Sequence, residues 1–313
     1  MSIVTLTLNP TLDLSTSVEL IEPWRKLRCA EPRLDPGGGG INVARVVKEL
    51  GGDPLAVVAL GGHVGSLVAD AVTQLGISVI RIPIRGATRQ NFAVSERATG
   101  RQYRFVHAGP PMTVRNWERC LEATIDAGRV AECVVASGSL PPGVPDDAIA
   151  QLATRLARFR VPLIVDTSGP ALVEAARSPI YLLKPSVNEL SAITGDGSPL
   201  VRRRDIEGAA RKLMDDGRCE VVAVSMGSEG AIFVPRDGAS MMVHAPSVQS
   251  ISSIGAGDSM VGGIAYALAN GAGLEEAARL GVACGTAAVL SPGTSLCRRA
   301  DVEKLLGDVL VDA

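Results

Sequence analysis

The sequence is poor in aromatic side chains and shows no excess of positive charge. Only 3% of its 313 residues are Phe, Trp or Tyr, and 31 basic residues stand against 33 acidic ones, for a net charge of -2. Nucleic-acid binding typically needs a basic patch, and base stacking needs aromatic platforms. The composition therefore argues against nucleic acid as a partner.

Long uninterrupted apolar runs are also missing, and residues 1–8 lack the basic region and extended apolar core of a signal peptide. The six cysteines include no Cys-x-x-Cys spacing and no nearby histidine pair, so they predict neither a zinc site nor a disulfide framework. We expect a soluble cytoplasmic protein without a membrane partner, whose cysteines are buried as small apolar residues.

What is present is a regular alternation of strands and helices. With 46% hydrophobic residues, the chain can bury a large core. Apolar strands at 132–136, 162–166 and 180–183 alternate with helical segments such as 115–127 and 146–158. Continuous apolar strands between helices predict an α/β fold, with a mostly parallel sheet sandwiched by helices. Three helices are expected to close the chain.

A second, smaller sheet is predicted from the N-terminal third. Residues 89–96 and 101–106 alternate around Ala98-Thr99-Gly100, which is typical of a β-hairpin. Together with the irregular segment 14–36, the hairpin predicts a small β-sheet lid. The expected division is a main domain of residues 1–13, 37–87 and 107–313, and a discontinuous lid of residues 14–36 and 88–106.

A glycine turn near the C-terminus carries the clearest chemical signal. The stretch Ser252–Gly263 passes from an extended segment through Gly255-Ala256-Gly257 into a helix. Backbone N–H groups at a helix N-terminus bind anions such as phosphate. Asp258, at the start of the helix, could accept a hydroxyl proton while the amides hold a transferring phosphoryl group. The alternative is that Asp258 only caps the helix.

Four consecutive glycines, Gly37–Gly40, precede an amphipathic helix at 41–51. Glycine is costly in conformational entropy, so this run suggests that a ligand approaches the backbone closely. No Gly-Lys-Ser/Thr follows, which excludes a Walker P-loop, and the dinucleotide fingerprint is absent as well. Asn42 could bond sugar hydroxyls.

Polar residues follow the predicted strands or begin the helices, at the edge where open α/β sheets bind ligands. Asp13 follows the first strand, although an Asx turn explains it equally well. Arg89 and Arg104 could clamp a phosphate, or be ordinary surface charges. The residues expected to cluster at this edge are Asp13, Asn42, Ser139, Asp166, Lys184, Ser225 and Asp258.

Together these residues resemble the PfkB family of ribokinase-like sugar kinases. The most specific segments are Gly37-Gly38-Gly39-Gly40-Ile41-Asn42-Val43-Ala44 and Gly255-Ala256-Gly257-Asp258, and the resemblance covers essentially the whole chain. Thr88–Asn91, Gln102–Val106 and Ser137–Gly143 make it most similar to the 6-phosphofructokinase 2 branch. Related 1-phosphofructokinases and tagatose-6-phosphate kinases usually carry Gly-Lys-Gly where this chain has Gly38–Gly40.

The resemblance implies a ribokinase-like fold and a homodimer formed through the lids. It also implies ATP-dependent phosphorylation of the 1-hydroxyl of fructose 6-phosphate, a reaction of glycolysis, with Mg²⁺ and K⁺ as expected ions. Tagatose-6-phosphate kinase and 1-phosphofructokinase are alternatives of the same class. A non-catalytic sugar-phosphate or nucleotide sensor is the alternative of another class, and the intact turn before Asp258 argues against it.

The resemblance also assigns roles to individual residues. The implied catalytic residues are Asp258 as the base, Gly255, Ala256 and Gly257 as the anion hole, and Lys26 reaching the phosphates from the lid. The implied substrate-binding residues are Thr11, Asp13, Gly38, Gly39, Gly40, Asn42, Arg89, Gln90, Asn91, Arg104 and Ser139. The implied ATP-binding residues are Lys184, Ser186, Ser225, Gly227, Ser228, Gly230 and Thr286.

The implied metal sites depart from the family's usual pattern. Glu189 is expected to organise Mg²⁺ through water, but Ser186 stands where the family usually has Asn, and Ser-x-x-Glu is also a capping box. The implied monovalent-cation residues are Ser252, Ala288, Ser291 and Gly293. Here the chain has Ser291-Pro292-Gly293-Thr294-Ser295 in place of the branch's Asn-x-Gly-Thr-Arg.

Overall fold

A computed structural model of the chain describes residues 2–194, 200–215 and 217–312, which form a large sheet with helices on both faces and a separate small sheet. The strands are β1 (Ser2–Thr7), β2 (Thr11–Val18), β3 (Arg33–Gly37), β4 (Asp53–Leu60), β5 (Ser78–Pro83), β6 (Arg89–Glu96), β7 (Gln102–Phe105), β8 (Cys133–Ser137), β9 (Leu163–Asp166), β10 (Leu182–Leu183), β11 (Val221–Ser225), β12 (Gly230–Pro235), β13 (Met241–His244) and β14 (Leu310–Asp312). The helices are α1 (Gly39–Glu49), α2 (Gly62–Gln74), α3 (Val114–Gly128), α4 (Ala148–Leu156), α5 (Pro170–Ala176), α6 (Val187–Thr194), α7 (Arg203–Asp215), α8 (Ala256–Ala269), α9 (Leu274–Ala288) and α10 (Arg299–Leu305).

The large sheet has the strand order β14-β13-β12-β11-β10-β9-β8-β1-β4-β5. The strands from β11 to β5 in that order pair in parallel, and β12, β13 and β14 extend the sheet antiparallel at one edge. The expected mostly parallel sheet is confirmed. Because parallel strands all end at the same edge, the residues that follow them are brought together there.

Helices cover both faces of this sheet, because successive strand residues point to opposite sides. Val4 and Leu6 of β1 pack into a core with residues of α3, α4, α5, α6 and α7. Ile3, which directly precedes Val4 on the strand, packs into a second core with residues of α1, α8, α9 and α10. No helix among the described residues has the length and apolar character needed to cross a bilayer.

The small sheet has the order β3-β2-β6-β7 and two chemically different faces. One row across it is polar and joins Asp35, Asp13 and Asn91. The next row is apolar and runs Leu34, Leu14, Phe92, Phe105 across all four strands. Leu34 is 54% exposed and Phe105 is 55% exposed, so the apolar face is largely uncovered in the single chain.

Several local expectations differ from the structure. Strand β2 begins at Thr11, so Asp13 lies within the small sheet rather than in a turn after β1. The short helix α5 was not predicted from the sequence. Nor was β14, a strand that follows the three closing helices and pairs with β13. Five cysteines are buried as expected, but Cys29 is exposed on the loop between β2 and β3.

Close packing within the protein accounts for the glycine run. A Cβ on Gly37 would lie 2.0 Å from Oδ2 of Asp13, and one on Gly39 would lie 2.2 Å from Oγ of Ser137. On Gly40 it would lie 2.4 Å from the carbonyl oxygen of Leu6. Internal packing alone therefore requires glycine at three of these positions, and the expected approach of a ligand to this backbone stays a prediction.

Replacing Gly40 by alanine is expected to lower the free energy of unfolding by about 1–3 kcal/mol, because the methyl group would press on backbone. Gly208 in α7 is a matched control, since nothing lies within 4 Å of its added Cβ. There alanine should raise stability by about 0.5–1 kcal/mol. Urea unfolding of the two variants measures both values, and a Gly40→Ala protein as stable as the wild type would contradict this packing account.

Candidate active site

The carboxyl edge of the large sheet gathers most of the predicted polar residues. Asn9 follows β1, Asp166 ends β9, Lys184 follows β10 and Ser225 ends β11. Ser139 follows β8, and its Oγ accepts a hydrogen bond of 3.1 Å from Nδ2 of Asn9. The expected clustering at one edge is therefore present.

Helix α8 begins at this edge with an open N-terminus. Its N-cap is Gly255, in the left-handed region at φ 77°, and no side chain caps the helix. Asp258 lies in the first turn but makes no capping bond, so the alternative of a mere helix cap is not supported. The first N–H groups of α8 thus have no side-chain cap, which is the arrangement that an anion site at a helix N-terminus needs.

Asp258 is held by a residue from another helix. Nδ2 of Asn42, in α1, donates a hydrogen bond of 2.8 Å to Oδ2 of Asp258. Burial, followed by the nearby charge of Asp166, raises the pKa of Asp258 to about 7, against the opposing effects of Asn42 and Lys184. A carboxylate with a pKa near neutrality is a better proton acceptor than an ordinary aspartate.

A buried cation lies beside the same turn. Nζ of Lys184 is 3.2 Å from Oδ1 of Asp166, and it lies 3.6 Å from where a Cβ on Gly257 would be. Burial opposes the charge of Lys184, but Asp166, Glu189 and Asp258 together raise its pKa. The lysine is therefore charged, and it faces the place where the amides of α8 would hold an anion.

The polar row of the small sheet lies near the same site, since the charge of Asp13 contributes to the raised pKa of Asp258. Nδ2 of Asn91 donates a 3.1 Å hydrogen bond to Oδ1 of Asp13, and burial raises the pKa of Asp13. Asp13, Asn91 and Arg104 line a small cavity, together with Ile254 and Thr294. Sugar hydroxyls and a phosphate are the ligands that such amide, carboxylate and guanidinium groups suit.

Arg89 is engaged differently from Arg104. Its Nη1 donates to the carbonyl oxygen of His107 at 2.7 Å and its Nη2 to that of Asn9 at 2.9 Å. Arg89 and Ser139 line a cavity of about 610 Å³. Arg104 is exposed and its guanidinium makes no hydrogen bond within the described part of the chain, so this guanidinium is the more available of the two.

The residues expected at the ATP site lie around β11 and α9. The N–H of Ser225 donates to the carbonyl oxygen of Pro185 at 3.0 Å, and Gly227 and Ser228 are exposed on the short 3₁₀ helix that follows. Gly230 has φ 106° and packs against the backbone of β13. Thr286 is buried, and its Oγ1 donates to the carbonyl oxygen of Val282 in its own helix.

Ser186 and Glu189 form a reciprocal capping box at the start of α6. The N–H and Oγ of Ser186 each donate to Oε2 of Glu189 at 2.8 Å, and the N–H of Glu189 donates to Oγ of Ser186 at 3.2 Å. The structural role that the sequence left open is therefore realised. Glu189 also lies close enough to Asp166 and Lys184 to influence the pKa of each.

The four residues expected to hold a monovalent cation lie on the segment before α8, at the last residue of α9 and in the loop that follows α9. Oγ of Ser252 donates to the carbonyl oxygen of Gly293 at 3.0 Å. The N–H of Ser291 donates to the carbonyl oxygen of Ala288 at 3.1 Å. The set offers hydroxyl and carbonyl oxygens, the ligand type that hard cations prefer. Within residues 2–194, 200–215 and 217–312, no three His, Cys, Asp or Glu side chains converge as a metal cluster.

Two predicted residues are not brought into the site. Lys26 is exposed on the β2–β3 loop and makes no hydrogen bond or ion pair with any described residue. Gln90 pairs with Leu12 in the register of β2 and β6, so it faces the opposite side of the small sheet from Asn91.

Sequence reasoning missed the buried carboxylate of Asp35 and its partners, which lie beside Arg45 and Asn42. Asp35 accepts bonds from Arg33, Arg45 and Thr294, three residues that come from β3, α1 and the loop after α9. The sequence held one signal for these contacts: Asn42 and Arg45 are three residues apart, and residues at that spacing are neighbours on a helix. The remaining contacts join distant parts of the chain.

Comparison with known proteins extends these observations. The family description "pfkB family carbohydrate kinase" matches residues 7–301. The ATP-dependent 6-phosphofructokinase isozyme 2 of Mycobacterium tuberculosis is 46% identical over 302 residues, which is 96% of this chain and 88% of that protein. The 1-phosphofructokinase of Escherichia coli is 34% identical over 312 residues, covering 98% of this chain and 97% of that protein.

The solved structure of phosphofructokinase-2 from Escherichia coli in complex with potassium superposes with a TM-score of 0.91 at 39% identity, covering 98% of each chain. The similarity therefore spans both sheets of this chain, the small one included. The ribokinase-like architecture expected from the sequence is confirmed.

Proposed function

Because the chain belongs to the pfkB family of carbohydrate kinases, we propose that it transfers the γ-phosphoryl group of ATP to the 1-hydroxyl of fructose 6-phosphate, giving fructose 1,6-bisphosphate for glycolysis. The observation that carries this proposal is the position of Asp258, bonded to Asn42 at the uncapped N-terminus of α8. The similarity to 6-phosphofructokinase isozyme 2 favours this sugar phosphate over the other candidates.

Asp258 acts as the general base. Its carboxylate accepts the proton of the 1-hydroxyl as the oxygen attacks, because even a pKa of about 7 is too low to remove that proton beforehand. The N–H groups of Gly255, Ala256 and Gly257 and the ammonium of Lys184 stabilise the negative charge on the transferring group. Removing one such donor typically costs about 2.7–4 kcal/mol of transition-state stabilisation.

The polar side of the small sheet holds the sugar phosphate. Asp13 and Asn42 contact hydroxyl groups, and Asn91 orients Asp13 through its 3.1 Å hydrogen bond. Arg104 binds the 6-phosphate, with Arg89 and Ser139 lining the neighbouring cavity. Binding on this side requires the small sheet to act as a lid over the edge of the main domain.

Two ions complete the proposal. Magnesium bound to ATP supplies neutralisation of phosphate charge, and Glu189 would hold it through water, since Mg²⁺ usually keeps several waters in nucleotide sites. Potassium would be held by oxygens of Ser252, Ala288, Ser291 and Gly293. The potassium in the related phosphofructokinase-2 structure supports the second assignment.

The apolar side of the small sheet fits a second copy of this chain. Phe92 is 37% exposed, and Leu34 and Phe105 are exposed by more than half. Burying such side chains contributes roughly 25 cal/mol per Å² of apolar surface. If two lids pair through this apolar row, the row is removed from water in a homodimer. The expected location is the cytoplasm, where ATP and sugar phosphates are available.

The proposal is tested by coupled ADP release with Mg·ATP and fructose 6-phosphate, tagatose 6-phosphate or fructose 1-phosphate. Fructose 6-phosphate is expected to give the highest kcat/KM. Asp258→Asn should lower kcat about 10²- to 10⁴-fold, because general-base help is lost. Asp70→Asn, an exposed isosteric change on α2, is the control and should be as active as the wild type.

Each outcome of the panel is informative. Preference for tagatose 6-phosphate or fructose 1-phosphate would replace the substrate but keep the mechanism. ATP binding without turnover on any of the sugars would contradict the enzyme and leave the sensor. Full activity in Asp258→Asn would contradict the role of the base.

Ser186→Ala and Glu189→Gln separate the two roles of the capping box. Loss of the Ser186 hydroxyl should cost about 0.5–2 kcal/mol of stability, with the Mg²⁺ requirement unchanged. Gln preserves a capping box, so Glu189→Gln should stay folded but need more Mg²⁺ for half-maximal activity. Urea unfolding and Mg²⁺ titration of activity measure these effects, and an unchanged Mg²⁺ requirement in Glu189→Gln would remove that residue from the metal site.

A further inference from the structure

Arg45 lies on α1, one turn beyond Asn42, with its side chain only 12% exposed. Its Nη1 donates to the carbonyl oxygen of Pro36 at 3.0 Å and to Oδ1 of Asn42 at 3.3 Å, and its Nη2 contacts Oδ1 of Asp35 at 3.4 Å. The contacts with Pro36 and Asp35 thus hold the guanidinium in place beside Asn42.

This contact decides which way the Asn42 amide faces. An amide has a donor end and an acceptor end, whereas a guanidinium can only donate. With Oδ1 facing Arg45, Nδ2 is left to donate to Oδ2 of Asp258. The reverse orientation would place two donors together at Arg45 and two oxygens together at Asp258.

We propose that Arg45 is a positioning residue, which locks the Asn42 amide so that it donates to the catalytic carboxylate of Asp258. This inference rests on the proposed function, in which Asp258 is the base. A locked donor keeps Asp258 aimed and ionised, so the enzyme retains its base at lower pH than it would with a rotating amide.

Arg45 is itself anchored to the small sheet. Asp35 of β3 receives bonds from Arg33 at 2.9 Å and from Thr294 at 2.7 Å, in addition to its contact with Arg45. The guanidinium therefore connects a lid strand and the loop after α9 with the amide that holds the base. Arg33, which is more exposed and also bonds Ser295, shares the Asp35 anchor and does not bond Asn42, so it serves as a control for the anchor.

Two effects of Arg45 on Asp258 must be separated. The groups that influence Asp258 are Asp166 from β9, Lys184 after β10, Asp13 from β2 and Asn42 from α1. The positive charge of Arg45 also interacts with Asp258 directly, in a field shared with Arg33, Asp35 and Asp13. Both the charge and the oriented amide favour the carboxylate, so a single substitution does not distinguish them.

A double-mutant cycle separates the two effects. The dependence of kcat on pH is measured with saturating Mg·ATP and fructose 6-phosphate for the wild type, Arg45→Met, Asn42→Ala and the double variant. Arg45→Met should move the acid limb upward by about one pH unit, because an unlocked Asn42 amide no longer keeps its hydrogen bond to the charged Asp258. In the Asn42→Ala background the same change should add almost no further shift, because the amide it orients is gone.

Arg33→Met is the control and should leave the acid limb in place, since it removes a bond to Asp35 but none to Asn42. The midpoint of the acid limb does not depend on how much enzyme is folded, so a less stable variant still gives a usable midpoint. Should Arg45→Met fail to purify, Arg45→Lys enters the same cycle, because one nitrogen cannot hold Pro36, Asp35 and Asn42 together.

Three results would overturn the inference. An acid limb that does not move in Arg45→Met would exclude any role of Arg45 in the ionisation of Asp258. Equal shifts in the presence and absence of Asn42 would show charge acting directly on Asp258, and an equal shift in Arg33→Met would show a general effect of the Asp35 group. A wild type inactive on fructose 6-phosphate would instead contradict the proposed function, which is a different failure.

Discussion

The close approach of α1 and α8 is the constraint on which the site depends. A Cβ on Gly262 would lie 2.5 Å from Cγ1 of Val46, so the two helices can pack this tightly only because that position lacks a side chain. The approach brings the first turns of both helices together, and the bond between Asn42 and Asp258 spans them. Gly281 lets α9 pack against Ile264 on the far side of α8 in the same way.

The electrostatics follow from this packing. Asp258 is enclosed near another carboxylate, Asp166, and burial and that charge together hold its pKa near 7. Lys184 neutralises part of the charge and also faces the open N-terminus of α8. One lysine therefore serves both the acidic pair and the anion position, which places proton acceptance and phosphate binding within one small volume.

Much of this could be predicted from the chain because the signals are local. The glycine turn before Asp258 and the polar residues after the strands depend only on neighbouring residues and on the rule that parallel strands end at one edge. The Ser186–Glu189 pair was correctly seen to have a structural alternative, and its capping bonds are present.

The remainder depends on register and long-range packing. The side on which Gln90 lies is set by its pairing with Leu12, which requires knowing that β2 and β6 are neighbours. The contact between Asp35 and Thr294 joins residues 259 positions apart, and no periodicity reports it. The glycine run was noticed, but its packing against Leu6 and Ser137 follows only once α1 is seated on the sheet.

The most direct test of this account is the titration of the Asp258 carboxyl carbon by ¹³C NMR in the folded protein, with Asp258→Asn used to assign the signal. We expect a midpoint at about 7, set by burial and by Asp166. A midpoint close to 3.9, the value of an ordinary aspartate, would show a solvated carboxylate and contradict the enclosed base on which the proposed mechanism depends.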